Sequence, residues 1–255
     1  MKLAAISAAG LALFSWPFAM SNVPPQSLAV GIALGMVAVL VFTEVATRQL
    51  DARRLALLAA IAAIDSALRL LLVIGVAGFS PIFFLILVAG YVYGPSFGFL
   101  CGATSLLASA VATGGIGPWL PYELFGCGWV GMLAGIAGLR RNAVPQWHDV
   151  AVLALVGIIT GFAYGALLDV WDWTTFYRST PSFGWLPSLP LSAAWQRFTH
   201  FYLATSLVYD TFRAAGNALL VAVLGIPVIA AFSRLRSRFS AEVLAPSVVA
   251  AVSRS

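Results

Sequence analysis

Charge is what this chain has least of. Acidic and basic side chains make up 9% of its 255 residues, where a soluble domain carries roughly 25%. With 61% hydrophobic residues and a mean hydropathy of +0.97, too little polar surface remains to wrap so large a core in water. Lysine is reduced to Lys2. A Walker A loop needs a lysine after its glycines to meet the phosphates, so the chain cannot contain that ATPase motor. Histidine is confined to His148 and His200, too far apart for an HExxH zinc motif. Cys101 and Cys127 both fall inside apolar runs, with no disulfide framework or metal-ligand spacing, and read as inert buried thiols. The net charge of +5 does not point to nucleic acid, because the positive residues stand in short clusters between apolar runs. That pattern is a topology signal.

What the chain has in abundance is apolar length. The stretch from Pro81 to Leu139 carries Glu123 as its one formal charge and is interrupted only at Gly94-Pro95 and from Gly114 to Pro118. Proline lacks a donor and glycine is conformationally loose, so these are turns. The runs between them approach the roughly 20 residues that cross a bilayer, and backbone in lipid must satisfy itself as helix. Three connected helices are expected at 81–93, 96–113 and 122–139, with Gly98 and Gly102, then Gly131 and Gly135, spaced four apart for close contact.

Further runs at 3–20, 27–45, 55–78, 150–168 and 203–232 bring the expectation to an all-α membrane protein with eight spans. Residues 1–50 hold two N-terminal helices, 51–239 a six-helix core and 240–255 a tail. The first run is a retained helix or, if cut near Ala19-Met20-Ser21, a signal peptide. Residues 171–200 read as one long polar-aromatic connection. If Lys2 is inside, the Arg clusters at 48–54, 140–141 and 234–238 are inside too. Both termini are then cytoplasmic.

Ionisable groups inside membrane runs are functional suspects by default. Asp65 and Arg69, four apart on the third run, are expected to pair. Ala56, Ala59, Ala60, Ala63 and Ala67 form a small-residue stripe on another side of that helix, suited to close helix contact. Asp210, Arg213 and Asn217 share one face of the last helix, in its outer half. Glu123 and Arg69 lie at comparable depth. This set reads either as a ligand site or as a polar network tying helices together. Trp119, Tyr122, Trp171, Trp173, Trp185 and Trp195 give the outer connections an aromatic character, as interfacial anchors or as a lid over a ring-containing ligand. Gly94-Pro95-Ser96-Phe97-Gly98 matches G-x-S-x-G, so an intramembrane hydrolase using Ser96, with His148 on the same side, is an alternative. A noncatalytic membrane assembly subunit is another.

The Ala-rich helix, the stretch AGYVYGPSFGFLCGATSLLASAVATGGIGPWLPYELFGCGWVGMLAG and the segment FYLATSLVYDTFRAAGNALL, in that order, resemble the substrate-specific S component of energy-coupling factor (ECF) vitamin transporters, of actinobacterial type. The resemblance covers about residues 55–235. It implies a six-helix substrate-binding core, without enzymatic chemistry or cofactor, that docks on a transmembrane coupling subunit driven by two ATPase subunits. Docking then uses small residues such as Ala59, Ala63 and Ala67. Asp210, Arg213 and Asn217 are the expected ligand contacts, with Glu123 and Trp119 at the outer pocket, and cobalamin is the leading substrate. The helices at 3–20 and 27–45 depart from a six-helix core.

Overall fold

The computed structural model describes residues 2–19, 26–47, 50–71, 80–178, 180–187 and 189–252. Among them the chain is helical, without a strand. Its helices are α1 (Lys2–Ala19), α2 (Gln26–Ala46), α3 (Ala52–Leu71), α4 (Ile82–Tyr93), α5 (Pro95–Thr113), α6 (Leu120–Ala137), α7 (Trp147–Thr175), α8 (Leu191–Thr205) and α9 (Leu207–Val252). Five of these helices contain segments long and apolar enough to span a membrane, within α2, α5, α6, α7 and α9, and α1 and α4 contain shorter apolar stretches. The protein is an all-α multi-pass membrane protein. The count of eight spans is not fixed by these criteria. The end of the expected run at 55–78, most of the turn at 21–26 and the Met20-Ser21 cleavage position lie outside the described residues.

Turns fall where the sequence loses its helix formers. Gly94 separates α4 from α5 with φ 98°, and Gly114 ends α5 in the left-handed region at φ 69°, conformations a side chain rarely adopts. Pro95 then opens α5 at a position whose missing N–H costs nothing. At the start of α7, Gln146 and Asp149 exchange hydrogen bonds with each other's backbone, which satisfies two otherwise orphaned donors.

α4, α5 and α6 form the centre. Hydrophobic burial does not drive helices together in lipid, so packing contact must. Here backbone meets backbone: a Cβ at Gly98 would overlap the Gly131 carbonyl, one at Gly102 the Cys127 carbonyl, and one at Gly135 the backbone of Pro95. α3 lies against α5, and α7 pairs with α9. α1 and α2 lie over α6, where Ser7 accepts a hydrogen bond from the Trp129 indole at 3.1 Å.

Three sequence expectations need correction. Half of residues 171–200 are helical, because α7 continues to Thr175 and α8 begins at Leu191. What orders them is a second core of Trp173, Trp185, Ala194 and Phe201, whose contacts are tertiary and leave no sequence period. The last run is broken at Ser206, where the Ser206 hydroxyl donates to Asp169 at 2.8 Å, and α9 then runs from Leu207 to Val252. Finally, Asp65 and Arg69 do not pair. Arg69 donates to Ser109 on α5 at 3.2 Å, while both oxygens of fully buried Asp65 lack a hydrogen-bond partner among the described residues.

The glycine contacts predict a sharp contrast. Gly98→Val should destabilise the bundle by about 1–3 kcal/mol or more through overpacking. Gly35→Val, where a Cβ meets nothing within 4 Å, should stay within about 0.5 kcal/mol of the parent. Thermal unfolding of the detergent-solubilised protein measures both; equal midpoints would contradict the close-packed centre.

Candidate functional site

α9 presents its polar face to α7, and three glycines allow it. Gly157, Gly161 and Gly165 stand four apart on α7. A Cβ at Gly165 would overlap the Asp210 carboxylate, one at Gly161 would press on Ala214, and one at Gly157 would crowd Asn217. This ridge was missed from sequence, although its four-residue spacing is the same signal noted on α5 and α6.

Onto that ridge the chain packs a hydrogen-bonded cluster. Asp210, 1% exposed, accepts from the Arg213 guanidinium and from the Tyr202 hydroxyl of α8 at 2.9 Å. Arg213 also donates to the Gly161 carbonyl at 3.3 Å and lies over the Tyr164 ring, 5.3 Å from its centroid. Burial, then the Asp210 carboxylate, push the Tyr202 phenol above its ordinary value, so it remains a donor. Two turns along α9, buried Asn217 donates to the Gly157 carbonyl at 3.2 Å, while its own carbonyl oxygen has no partner among the described residues. The second oxygen of Asp169 is in the same condition.

Glu123 lies in the first turn of α6, half-buried, within electrostatic reach of Arg69, Asp172 and Arg213. Four helices thus bring charge to one level: α3 with Arg69, α6 with Glu123, α7 with Asp169 and Asp172, and α9 with Asp210 and Arg213. Trp119 stands at the rim, 37% exposed, with its ring against Trp171, and Tyr122 packs on the same tryptophan. Two largely apolar cavities flank the cluster. One of about 250 Å³ is bounded by Gly126, Trp129 and Tyr164, the other of about 370 Å³ by Ala166, Phe198 and Tyr202. A polar cluster beside apolar walls and stacked aromatics can hold a ring-bearing ligand with a few directed polar groups.

Of the sequence candidates, Asp210 and Arg213 come together with Glu123 nearby, Asn217 lies deeper on the same face, and Trp119 stands at the entrance. Tyr164, Asp169 and Tyr202 were missed; being on other helices, they leave no mark in the spacing of α9. Ser96 belongs to the opposite end, at the start of α5. α5 follows helix α4 rather than a strand, and no hydrogen bond joins Ser96 to His148 among the described residues. The nucleophile-elbow context is absent there. The alanine stripe of α3 is a separate surface: Ala56, Ala59, Ala60, Ala63 and Ala67 are all exposed, whereas Leu58, Ile61 and Ala62 on its other side are buried.

Residues 53–225 match the family model described as ECF transporter, substrate-specific component. The chain belongs to this family. No curated protein and no solved structure matches it. As an S component it is a substrate-binding membrane subunit of an ECF importer, and the match takes in α3 to α8 and the first half of α9. Helices α1 and α2 lie outside it.

The Asp210–Arg213 pair is buried, so removing one partner strands the other's charge. In this S component, Arg213→Ala should cost about 3–5 kcal/mol of stability. Adding Asp210→Asn should recover part of that loss. A double-mutant cycle on thermal unfolding reads the coupling; strictly additive losses would contradict the pairing.

Proposed function

We propose that this S component captures a vitamin-class micronutrient from outside the cell and releases it inward when a transmembrane coupling subunit, driven by two ATPase subunits, changes the preferred state. The observation that carries the reading is the charged cluster of α3, α6, α7 and α9, which lies within the family match beside apolar cavities and an aromatic rim. Glu123, Arg213, Asp210 and Asn217 are its polar contacts and Trp119 its rim. Asp210 and Arg213 also satisfy each other, so a ligand would meet the pair at its edge or displace Tyr202. Cobalamin is the leading candidate, on the family resemblance alone. Translocation follows from differential affinity between two states and needs no covalent step.

Two further features support the division of labour. The exposed alanines of α3 leave room for a partner helix to approach closely, and Ala59, Ala63 and Ala67 are its proposed seat. Lys2, Arg54, Arg141 and Arg236 gather at the end opposite the charged cluster, with Lys2 bound to Glu44 and Arg236 to the Val92 carbonyl. The positive-inside rule makes that end cytoplasmic, with both termini.

Capture and docking should therefore separate. Ala63→Leu should reduce co-purification with the coupling subunit by about tenfold, roughly 1.4 kcal/mol, and leave ligand binding by the isolated chain intact. Glu123→Ala should do the reverse. Pull-down, ligand retention and melting temperature are measured on both, and an impermeant thiol reagent on intact cells should label a cysteine at 182 and spare one at 148. Equal loss of both activities in both variants would contradict the separation.

A further inference from the structure

The seam between α3 and α5 holds a carboxyl group that the charged cluster does not use. Leu50, just before α3, and Arg54 in its first turn line one cavity with Pro95 and Ser96 at the start of α5. The two helices therefore begin at the same end and run side by side in one direction. The Arg69–Ser109 hydrogen bond at 3.2 Å then pins their register. One turn earlier on each helix stand Asp65 and Ser105, which face each other across the seam, with the Ser105 hydroxyl beside the Asp65 carboxyl. Both residues are 0% exposed.

Neither side chain is satisfied. Asp65 Oδ1, Asp65 Oδ2 and Ser105 Oγ have no hydrogen-bond partner among the described residues. Buried polar atoms without partners are rare in folded proteins, and here three meet at one point. Asp65 lies about 20 Å along α3 from Ala52, at membrane depth, where an uncompensated carboxylate is strongly disfavoured. The guanidinium of its own helix does not relieve it, because Arg69 is turned to Ser109.

We propose that Asp65 and Ser105 hold a sodium ion between α3 and α5. Hard cations take oxygen ligands, and all three idle atoms are oxygens. One carboxylate matches one positive charge, so a monovalent ion leaves the seam neutral, whereas a divalent ion would leave net charge in an apolar core. Among the described residues no group of three or more His, Cys, Asp or Glu side chains comes together, as a transition metal would require. A proton on Asp65 would draw the two facing groups into a direct hydrogen bond, and they face each other without one. Backbone carbonyls keep a second lone pair after their helix bond, so α3 and α5 can supply further oxygens. Leu58, Ile61 and Ala62 are buried on the same side of α3 and close the seam, which favours the smaller alkali ion, since site size separates ions of like charge. The ion would fasten α3 to α5. Its ligand is inorganic, so the site does not depend on the transport reading.

The full chain, purified in detergent with choline as the only cation, tests this. The wild type should bind radiosodium saturably, near one ion per protein. Replacing choline by sodium at constant ionic strength should raise its melting temperature by about 5 °C, and potassium should raise it much less. Asp65→Asn should abolish both effects without lowering the melting temperature in choline, since it removes the charge that needed the ion. Ser105→Ala should weaken sodium binding by about tenfold, and Glu44→Gln, a carboxylate outside the seam, should leave it unchanged. Absence of saturable radiosodium binding by the wild type, a reading that needs no variant, overturns the proposal. So does sodium binding that persists in Asp65→Asn, or an equal response to potassium. A melting temperature that follows pH and ignores sodium would assign a proton to Asp65 and overturn it as well.

Discussion

Everything in this bundle depends on how closely two helix backbones can come. In lipid, apolar side chains gain little by leaving one hydrocarbon environment for another, so contact itself must hold helices together. Gly98 against Gly131, and Gly102 against Cys127, remove the side chains that would otherwise keep α5 and α6 apart. The resulting three-helix centre is nearly free of charge. It is the frame on which α3, α7 and α9 hang.

The second glycine ridge turns the same physics to a different end. Gly157, Gly161 and Gly165 let α9 approach α7 so closely that Asp210 fills the space a side chain at 165 would take. Polar groups can then be buried at membrane depth, because each finds a partner across the seam: Asp210 with Arg213 and Tyr202, Asn217 with the Gly157 carbonyl. The groups left over, one oxygen each on Asp169 and Asn217, face an environment that favours a ligand able to complete them. A substrate-binding subunit needs this combination of a stiff frame and an incompletely satisfied polar cluster.

Sequence reading recovered what is local. The Gly-Pro breaks placed α4, α5 and α6 within a residue or two. The three-and-four spacing of Asp210, Arg213 and Asn217 put them on one helix face, which the structure turns towards α7. Where a contact crosses between helices, spacing misled or fell silent. Asp65 and Arg69 have the right separation for a pair, yet Arg69 turns to Ser109 on α5. The start of α8 reads in sequence as part of one long polar-aromatic connection, because its order comes from Trp173, Trp185 and Phe201 meeting in space. Tyr202 and Asp169 became visible only once α7, α8 and α9 were assembled.

The central claim is that this S component alone recognises the transported molecule. It is tested most directly by purifying the chain without nucleotide or partners, extracting bound small molecules and identifying them by mass spectrometry. The account predicts one vitamin-class compound near one per protein in the wild type, and its loss in Glu123→Ala with the fold intact. Finding no such compound, or finding it bound only when the coupling subunit and ATPases are present, would contradict it.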